Sequence, residues 1–253
     1  MDQQYFKEYY HLERVNWWFT VRRRILRERI CRFLGNPQGI QSLNIGAATG
    51  TTSEMLEEFG SVMSVEYDET CCNFAKTLLK SPIIQGSITE LPFEDNSYDL
   101  VCAFDVIEHV EDHQKAVEEM WRVCKPGGHL YITVPAYMFL WGDHDVINQH
   151  VRRYTRPELL KLVQSQKGKL IYHSYFNSIL FAPIAAFRLV VNAIQKIKGK
   201  NKEMVESDHA VFGTDGFFNK LLSGLFSIDY YLLKLGFRFP AGVSIMVIFK
   251  KEA

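Results

Sequence analysis

Apolar and polar positions follow two rhythms along this chain. Short apolar runs at 40–45, 61–66, 83–85, 98–104, 128–134, 169–176 and 243–250 read as strands. Between them, segments near 51–59, 69–79, 113–124 and 156–166 repeat apolar residues at helical spacing, as Met55, Leu56 and Phe59 do on one face. Strand and helix in strict alternation predict an α/β fold, a doubly wound and mostly parallel sheet with helices on both faces. Lys125-Pro126-Gly127-Gly128 stops one helix and turns the chain into the next strand.

Two stretches lie outside this alternation. Residues 1–34 form a helical segment that is rich in aromatics (Tyr5, Tyr9, Tyr10, Trp17, Trp18, Phe19) and then in arginines (Arg22, Arg23, Arg24, Arg27, Arg29, Arg32). The arginines form a solvated face, or one of them pairs with a carboxylate of a cofactor or substrate. Residues 177–240 separate two strands that a hairpin loop of roughly 2–5 residues would otherwise join, so they read as a helical insertion that caps a substrate pocket, with a dimer face, a membrane contact or plain packing on the sheet as alternatives. Within it, Lys196 to Asp208 is polar and reads as an exposed link, while Phe217 to Phe239 is amphipathic and aromatic. One domain spans 1–253, with 40–176 as a cofactor-binding core and 241–253 as the final strand.

The chemistry concentrates at the first strand. Leu43-Asn44-Ile45-Gly46-Ala47-Ala48-Thr49-Gly50 ends a strand in a glycine loop and opens a helix, which sets bare backbone beside a ligand at a helix N-terminus. Glu66 follows Gly46 by 20 positions and ends the second strand, where a carboxylate can accept both hydroxyls of a ribose. A nucleoside-containing cofactor is the expectation.

These blocks resemble the class I S-adenosylmethionine-dependent methyltransferases. So do Glu66-Tyr67-Asp68, Gly86-Ser87-Ile88, Leu91-Pro92-Phe93, Tyr98-Asp99-Leu100-Val101, Asp105-Val106-Ile107-Glu108-His109-Val110 and Lys125-Pro126-Gly127-Gly128, in the family's order over residues 40–135. The resemblance implies a Rossmann-like sheet of seven strands, the last antiparallel, and S-adenosyl-L-methionine as cofactor. It implies that Asn44 and the loop Gly46, Ala47, Ala48, Thr49 and Gly50 cradle the methionine part, and that Glu66 holds the ribose. Tyr67 flanks the adenine, Ser87 and Ile88 meet its edge, and Phe104 and Asp105 lie near the donor. The sequence departs from the family's pattern at three places: Asn44 replaces an acid, Ala48 a glycine, and Ser87 an acid or amide. Trp17-Trp18-Phe19, Trp141-Gly142-Asp143-His144-Asp145 and His150-Val151-Arg152-Arg153-Tyr154-Thr155 resemble a bacterial subset that modifies quinones, lipids or cell-envelope sugars.

Methyl transfer to oxygen needs a base, and histidine titrates in the right range. His144, His109 and His150 are the candidates, all in loops after the fourth and fifth strands; each has a structural alternative, as a helix cap or a loop-ordering ion pair. Asp105, Glu108 and His109 have the spacing of a metal cluster, but the same string recurs in family members that use no metal, and none is assigned. Arg152, Arg153 and Tyr154 either grip an anionic acceptor or pack locally. The expected activity is methyl transfer to a hydroxyl of a small lipid-linked, quinone-like or sugar acceptor. A non-catalytic cofactor-binding protein acting through partners is the alternative, and an aminopropyl transferase ranks last.

Charge and composition narrow the rest. Acidic and basic residues balance at 29 each, which excludes a broad attraction to nucleic acid. Five cysteines without Cys-x-x-Cys spacing fit a reducing compartment. With no apolar leader and no uncharged apolar run of about 18 residues, the expectation is a cytoplasmic protein, with peripheral membrane contact open to the 177–240 insertion.

Overall fold

The computed structural model describes residues 3–164, 168–198 and 216–252. Most of the polar link expected at 196–208 lies outside them. The sheet has seven strands: β1 (Ile40–Ile45), β2 (Gly60–Glu66), β3 (Ile83–Gln85), β4 (Tyr98–Phe104), β5 (Cys124–Pro135), β6 (Gly168–Phe176) and β7 (Ser244–Lys251). Their order is β3-β2-β1-β4-β5-β7-β6. Pairings from β3 across to β5 are parallel, and β7 runs antiparallel to both β5 and β6. The order of winding reverses between the parallel strands β1 and β4, the switch point at which open α/β sheets bind ligands outside the carboxyl ends of the strands.

Helices α3 (Thr51–Leu56), α4 (Glu69–Lys76), α5 (His113–Val123) and α7 (Arg156–Gln164) follow the strands as the periodicity predicts, some ending sooner, while the short α6 (Asp143–Ile147) lies in the segment expected to be a loop. The turn expected at 125–128 instead bulges from β5. Tyr98 pairs with Cys124 and Leu100 with His129, so four residues of β5 loop out opposite Asp99. Gly127 takes a left-handed φ of 79° in that bulge.

The N-terminal segment forms α1 (Gln3–Val15) and α2 (Trp17–Leu34). Asn16 caps α2 by accepting from the Trp18 amide at 2.9 Å. The insertion contains α8 (Phe181–Lys198) and α9 (Phe217–Lys234), and α9 packs along α2. Several contacts fasten this pair. Trp18 lies nearly parallel to both Phe176 and Phe226, its ring centroid 5.8 and 5.3 Å from theirs, and those two rings are 6.4 Å apart. The Trp17 amide donates to Asn219 Oδ1 at 2.7 Å, and Asn219 Nδ2 donates to the Val15 carbonyl at 3.0 Å. Arg29, fully buried, donates to the Leu233 carbonyl at 2.8 Å. Buried Asp229 accepts from the Ser178 and Ile179 amides at 2.6 and 3.1 Å, anchoring the chain as it leaves β6. The segments flanking the core thus form one helical layer.

The arginines of α2 divide. Arg22 and Arg29 are buried and paired, while Arg27 forms an exposed ion pair with Glu58. A uniformly solvated face does not describe them. Replacing Trp18 by alanine removes the ring that joins α2, β6 and α9. The expected loss is about 3 kcal/mol of unfolding free energy, read by urea denaturation; a loss under about 1 kcal/mol would show that the helical layer does not depend on this stack.

Candidate functional site

The carboxyl edge of the sheet is where the backbone is most tightly turned. Gly46 after β1, Asp105 after β4, Tyr137 after β5 and Asn177 after β6 take φ of 70°, 57°, 58° and 54°. Three of the four are not glycine, and left-handed backbone in such residues concentrates where geometry serves function. At Gly46 the reason for glycine is direct: a Cβ there would lie 2.4 Å from Val106 Cγ2. The exits of β1 and β4 meet at that point, and the glycine loop opens above it.

Within the loop, Ala48 holds φ 47° and its amide donates to Glu66 Oε2 at 2.9 Å. Glu66 Oε1 accepts from the Asp68 amide at 3.1 Å. Burial raises the Glu66 pKa above the usual carboxylate range, and those backbone amides oppose the shift. Asn44 is fully buried, its Nδ2 donating to Thr52 and Ser53 hydroxyls at 2.8 Å each. Its amide nitrogen therefore secures α3 to β1. Ala47 packs with Cys72, Ala75 and Ile83 under the loop. A Cβ on Gly50, at φ 98°, would lie 2.5 Å from Leu79 Cδ2.

Beside Glu66 a cavity of about 420 Å³ is lined by Tyr67, Asp68, Glu69, Gln85, Gly86 and Ser87. Tyr67 is 77% exposed and free to lie against a ring, while Ile88 is buried beneath. Ser87 shares a 2.8 Å hydrogen bond with the Thr89 hydroxyl. The chain's own residues thus fit an adenosyl group followed by an amino-acid tail.

Two N-terminal residues reach this edge. Buried Glu13 of α1 accepts a hydrogen bond from the Thr49 hydroxyl, and its burial raises its pKa. Arg22 of α2 pairs with Asp105 at 2.6 Å, its guanidinium 5.8 Å from the centroid of the Phe104 ring. Glu13 went unrecognised in the sequence because an isolated acid in an aromatic helix carries no spacing signal. Arg22 was one of six arginines with nothing to single it out.

The three histidines converge. His109 ends a 3₁₀ turn (Ile107–His109), and its ring centroid lies 4.6 Å from that of His150, which lies 5.9 Å from that of His144. The protein around the His109 ring, then neighbouring His150, lowers its pKa to about 4, although the residue keeps an exposed edge. His150 Nδ1 lies 2.8 Å from Asp145 Oδ1, which Arg153 Nε also reaches at 2.7 Å. Burial alone would raise the Asp145 pKa, but His150 and Arg153 hold it far below the ordinary range. Asn148 Nδ2 approaches the His144 ring at 3.2 Å. Tyr154, by contrast, is buried, its hydroxyl 2.8 Å from His113 Nδ1 and donating to the Ile107 carbonyl. Arg153 and Tyr154 therefore support the loop, and Arg152 donates to the Glu111 carbonyl at 2.9 Å.

A profile described as a methyltransferase domain matches residues 43–132, the span holding the glycine loop, Glu66 and the β4 exit. Over that span the chain is similar to the class I S-adenosylmethionine-dependent methyltransferases. A Mycolicibacterium smegmatis protein named "Probable S-adenosylmethionine-dependent methyltransferase" is 29% identical over 158 residues, which cover 61% of this chain and 60% of that protein. A demethylmenaquinone methyltransferase of Paenarthrobacter aurescens is 37% identical over 120 residues, 42% of this chain and 45% of that protein. The chain thus spans about half the length of the curated relatives it matches. Among solved structures, an S-adenosylmethionine-dependent methyltransferase from Mesorhizobium loti superposes with a TM-score of 0.56 at 11% identity, over 88% of this chain and 96% of that one. The cyclase SpnF superposes at 0.57 with 15% identity, over 90% and 80%. These likenesses establish the fold.

Ala48 gives a direct test of the loop. Its left-handed backbone strains an alanine, so Ala48→Gly relieves strain while adding disorder to the unfolded chain. The expected net gain is roughly 0.5–1 kcal/mol, seen as a higher Tm by calorimetry. A lowered Tm would mean that the loop is not held in this conformation.

Proposed function

We propose that the chain transfers a methyl group from S-adenosylmethionine to a hydroxyl of a small lipid-linked, quinone-like or sugar acceptor. The carrying observation is that the glycine loop, Glu66 and three histidines, His109 and His144 each in ring contact with His150 between them, share one sheet edge. When bound, S-adenosylmethionine supplies an electrophilic methyl group. Glu66 accepts from the ribose hydroxyls in place of the Ala48 and Asp68 amides, and Tyr67 covers the base. Glu13 and Thr49 receive the amino-acid tail, whose ammonium group pairs with the Glu13 carboxylate.

His144 is the residue proposed to take the acceptor's hydroxyl proton as the oxygen bonds to carbon and the sulfur–carbon bond breaks. His109, with a pKa near 4, is a weak base, and His150 already shares Asp145. The other role proposed for this edge is exclusion of water: α8 covers the loop carrying His144, Asn192 Nδ2 donating to the Trp141 carbonyl at 3.1 Å and Arg188 lying against Gly142. We place the acceptor's apolar part along α8 and α9, which expose Phe187, Leu189, Val190, Phe217, Phe218 and Leu235. These side chains also support peripheral contact with a lipid surface. Among the described residues, no helix is long and apolar enough to cross a membrane. The P. aurescens relative's name adds support for a quinone-like acceptor.

The alternative is a cofactor-binding protein without turnover, favoured by the Ala48 amide already being engaged by Glu66. The test is transfer of radiolabelled methyl groups from S-adenosylmethionine to a panel of prenylated quinols, polyprenyl-linked sugars and free sugar nucleotides. Labelled product from one class is expected, with His144→Ala lowering kcat about 10²–10⁴-fold at unchanged donor affinity. No product from any class in a folded, donor-bound protein would favour the alternative; full turnover by His144→Ala would remove this histidine as the base.

A further inference from the structure

Glu108 poses a problem that the methyl-transfer chemistry leaves unsolved. It is fully buried, and neither carboxylate oxygen has a hydrogen-bond partner. A buried carboxylate without donors is expensive in either protonation state, because the protonated form also leaves its hydroxyl unpaired. The nearby charges do not supply contacts: Arg22 is paired with Asp105, and Arg153 with Asp145.

What Glu108 does meet is a pair of imidazoles. One carboxylate oxygen of Glu108, one ring nitrogen of His109 and one of His150 all lie within 4.8 Å of one another. Around a metal at about 2.1 Å from each donor, tetrahedral ligands sit roughly 3.4 Å apart, so small side-chain rotations close the set. Each imidazole is also oriented from behind. His150 Nδ1 is engaged by Asp145 Oδ1 at 2.8 Å, which leaves Nε2 as its free donor atom. His109 lies beside the backbone of Asn148 and Gln149. Such partners fix the ring and tautomer of metal-bound histidines.

We propose that Glu108, His109 and His150 bind a divalent first-row transition metal, which anchors an oxygen atom of the acceptor. Two imidazoles with one carboxylate suit zinc, iron or manganese better than magnesium or calcium, which prefer oxygen ligands throughout. Three protein ligands leave positions open, and these face the edge where the acceptor is placed. The sequence-level cluster of Asp105, Glu108 and His109 is thereby revised: Asp105 turns to Arg22, and His150 arrives from the loop after β5. Only the acceptor's role in this proposal rests on the methyl-transfer reading.

The test uses the full chain, stripped with a chelator and titrated with Co²⁺ in the absence of donor and acceptor. Visible absorption reports imidazole and carboxylate ligation, and calorimetry reports stoichiometry. One equivalent binding at micromolar Kd or tighter is expected. His109→Gln and Glu108→Gln should each weaken binding at least 10-fold and alter the spectrum. His109→Gln, which changes a residue with an exposed edge, carries the comparison if Glu108→Gln does not fold. No cobalt binding by the folded wild type, or binding by His109→Gln as tight as wild type, overturns the proposal. Cobalt binding of this kind in a protein that does not bind S-adenosylhomocysteine would retain the metal site and remove only the acceptor's role.

Discussion

The close approach of two strand exits governs the functional edge. Where β1 and β4 leave the sheet, Gly46 and Val106 meet so tightly that no Cβ fits on the first. That contact fixes where the chain can turn upward into the glycine loop and where it can turn toward Glu108 and His109. A doubly wound sheet already favours this crevice, because the direction of winding reverses there. The local packing makes it a cradle, with bare backbone on one side and a 3₁₀ turn bearing a carboxylate and an imidazole on the other.

A second layer of helices is tied to that cradle. Arg22 reaches from α2 to Asp105. On the same helix Trp18 clusters with Phe176 and Phe226, and Arg29 binds the end of α9. The N-terminal helices and the insertion, remote from each other in sequence, therefore share one set of contacts. Glu13 ties α1 to Thr49 in the loop itself. Ligand binding at the loop would be transmitted to this layer through Glu13 and Arg22, since each joins a helix to an exit residue of the sheet.

Much of this was legible in the sequence, and what escaped has identifiable causes. Period-2 and period-3.6 patterns located the seven strands and four of the core helices, because buried parallel strands leave continuous apolar runs. The glycine loop and Glu66 were legible because their spacing is imposed by strand, turn and helix lengths. Asn44 was expected at the cofactor, but its amide nitrogen bonds Thr52 and Ser53; a strand-end residue points to one face or the other, and spacing alone does not say which. The bulge at 125–128 read as an ordinary helix-to-strand turn because proline and glycine signal both. The partnership of His150 with Glu108 and His109 was illegible, since it joins loops about forty residues apart through tertiary structure alone. The same holds for Glu13 and Arg22, whose significance is set by where helices pack.

The measurement that bears most directly on the central claim is calorimetric titration of S-adenosylhomocysteine into wild type and Glu66→Ala. Micromolar binding by wild type is expected, weakened at least 10-fold in the variant with its thermal unfolding little changed, because a carboxylate accepting two ribose hydroxyls forms charge-assisted hydrogen bonds. Absence of binding to folded wild type, or equal affinity in the two proteins, would contradict the placement of the donor between the Gly46 loop and Glu66.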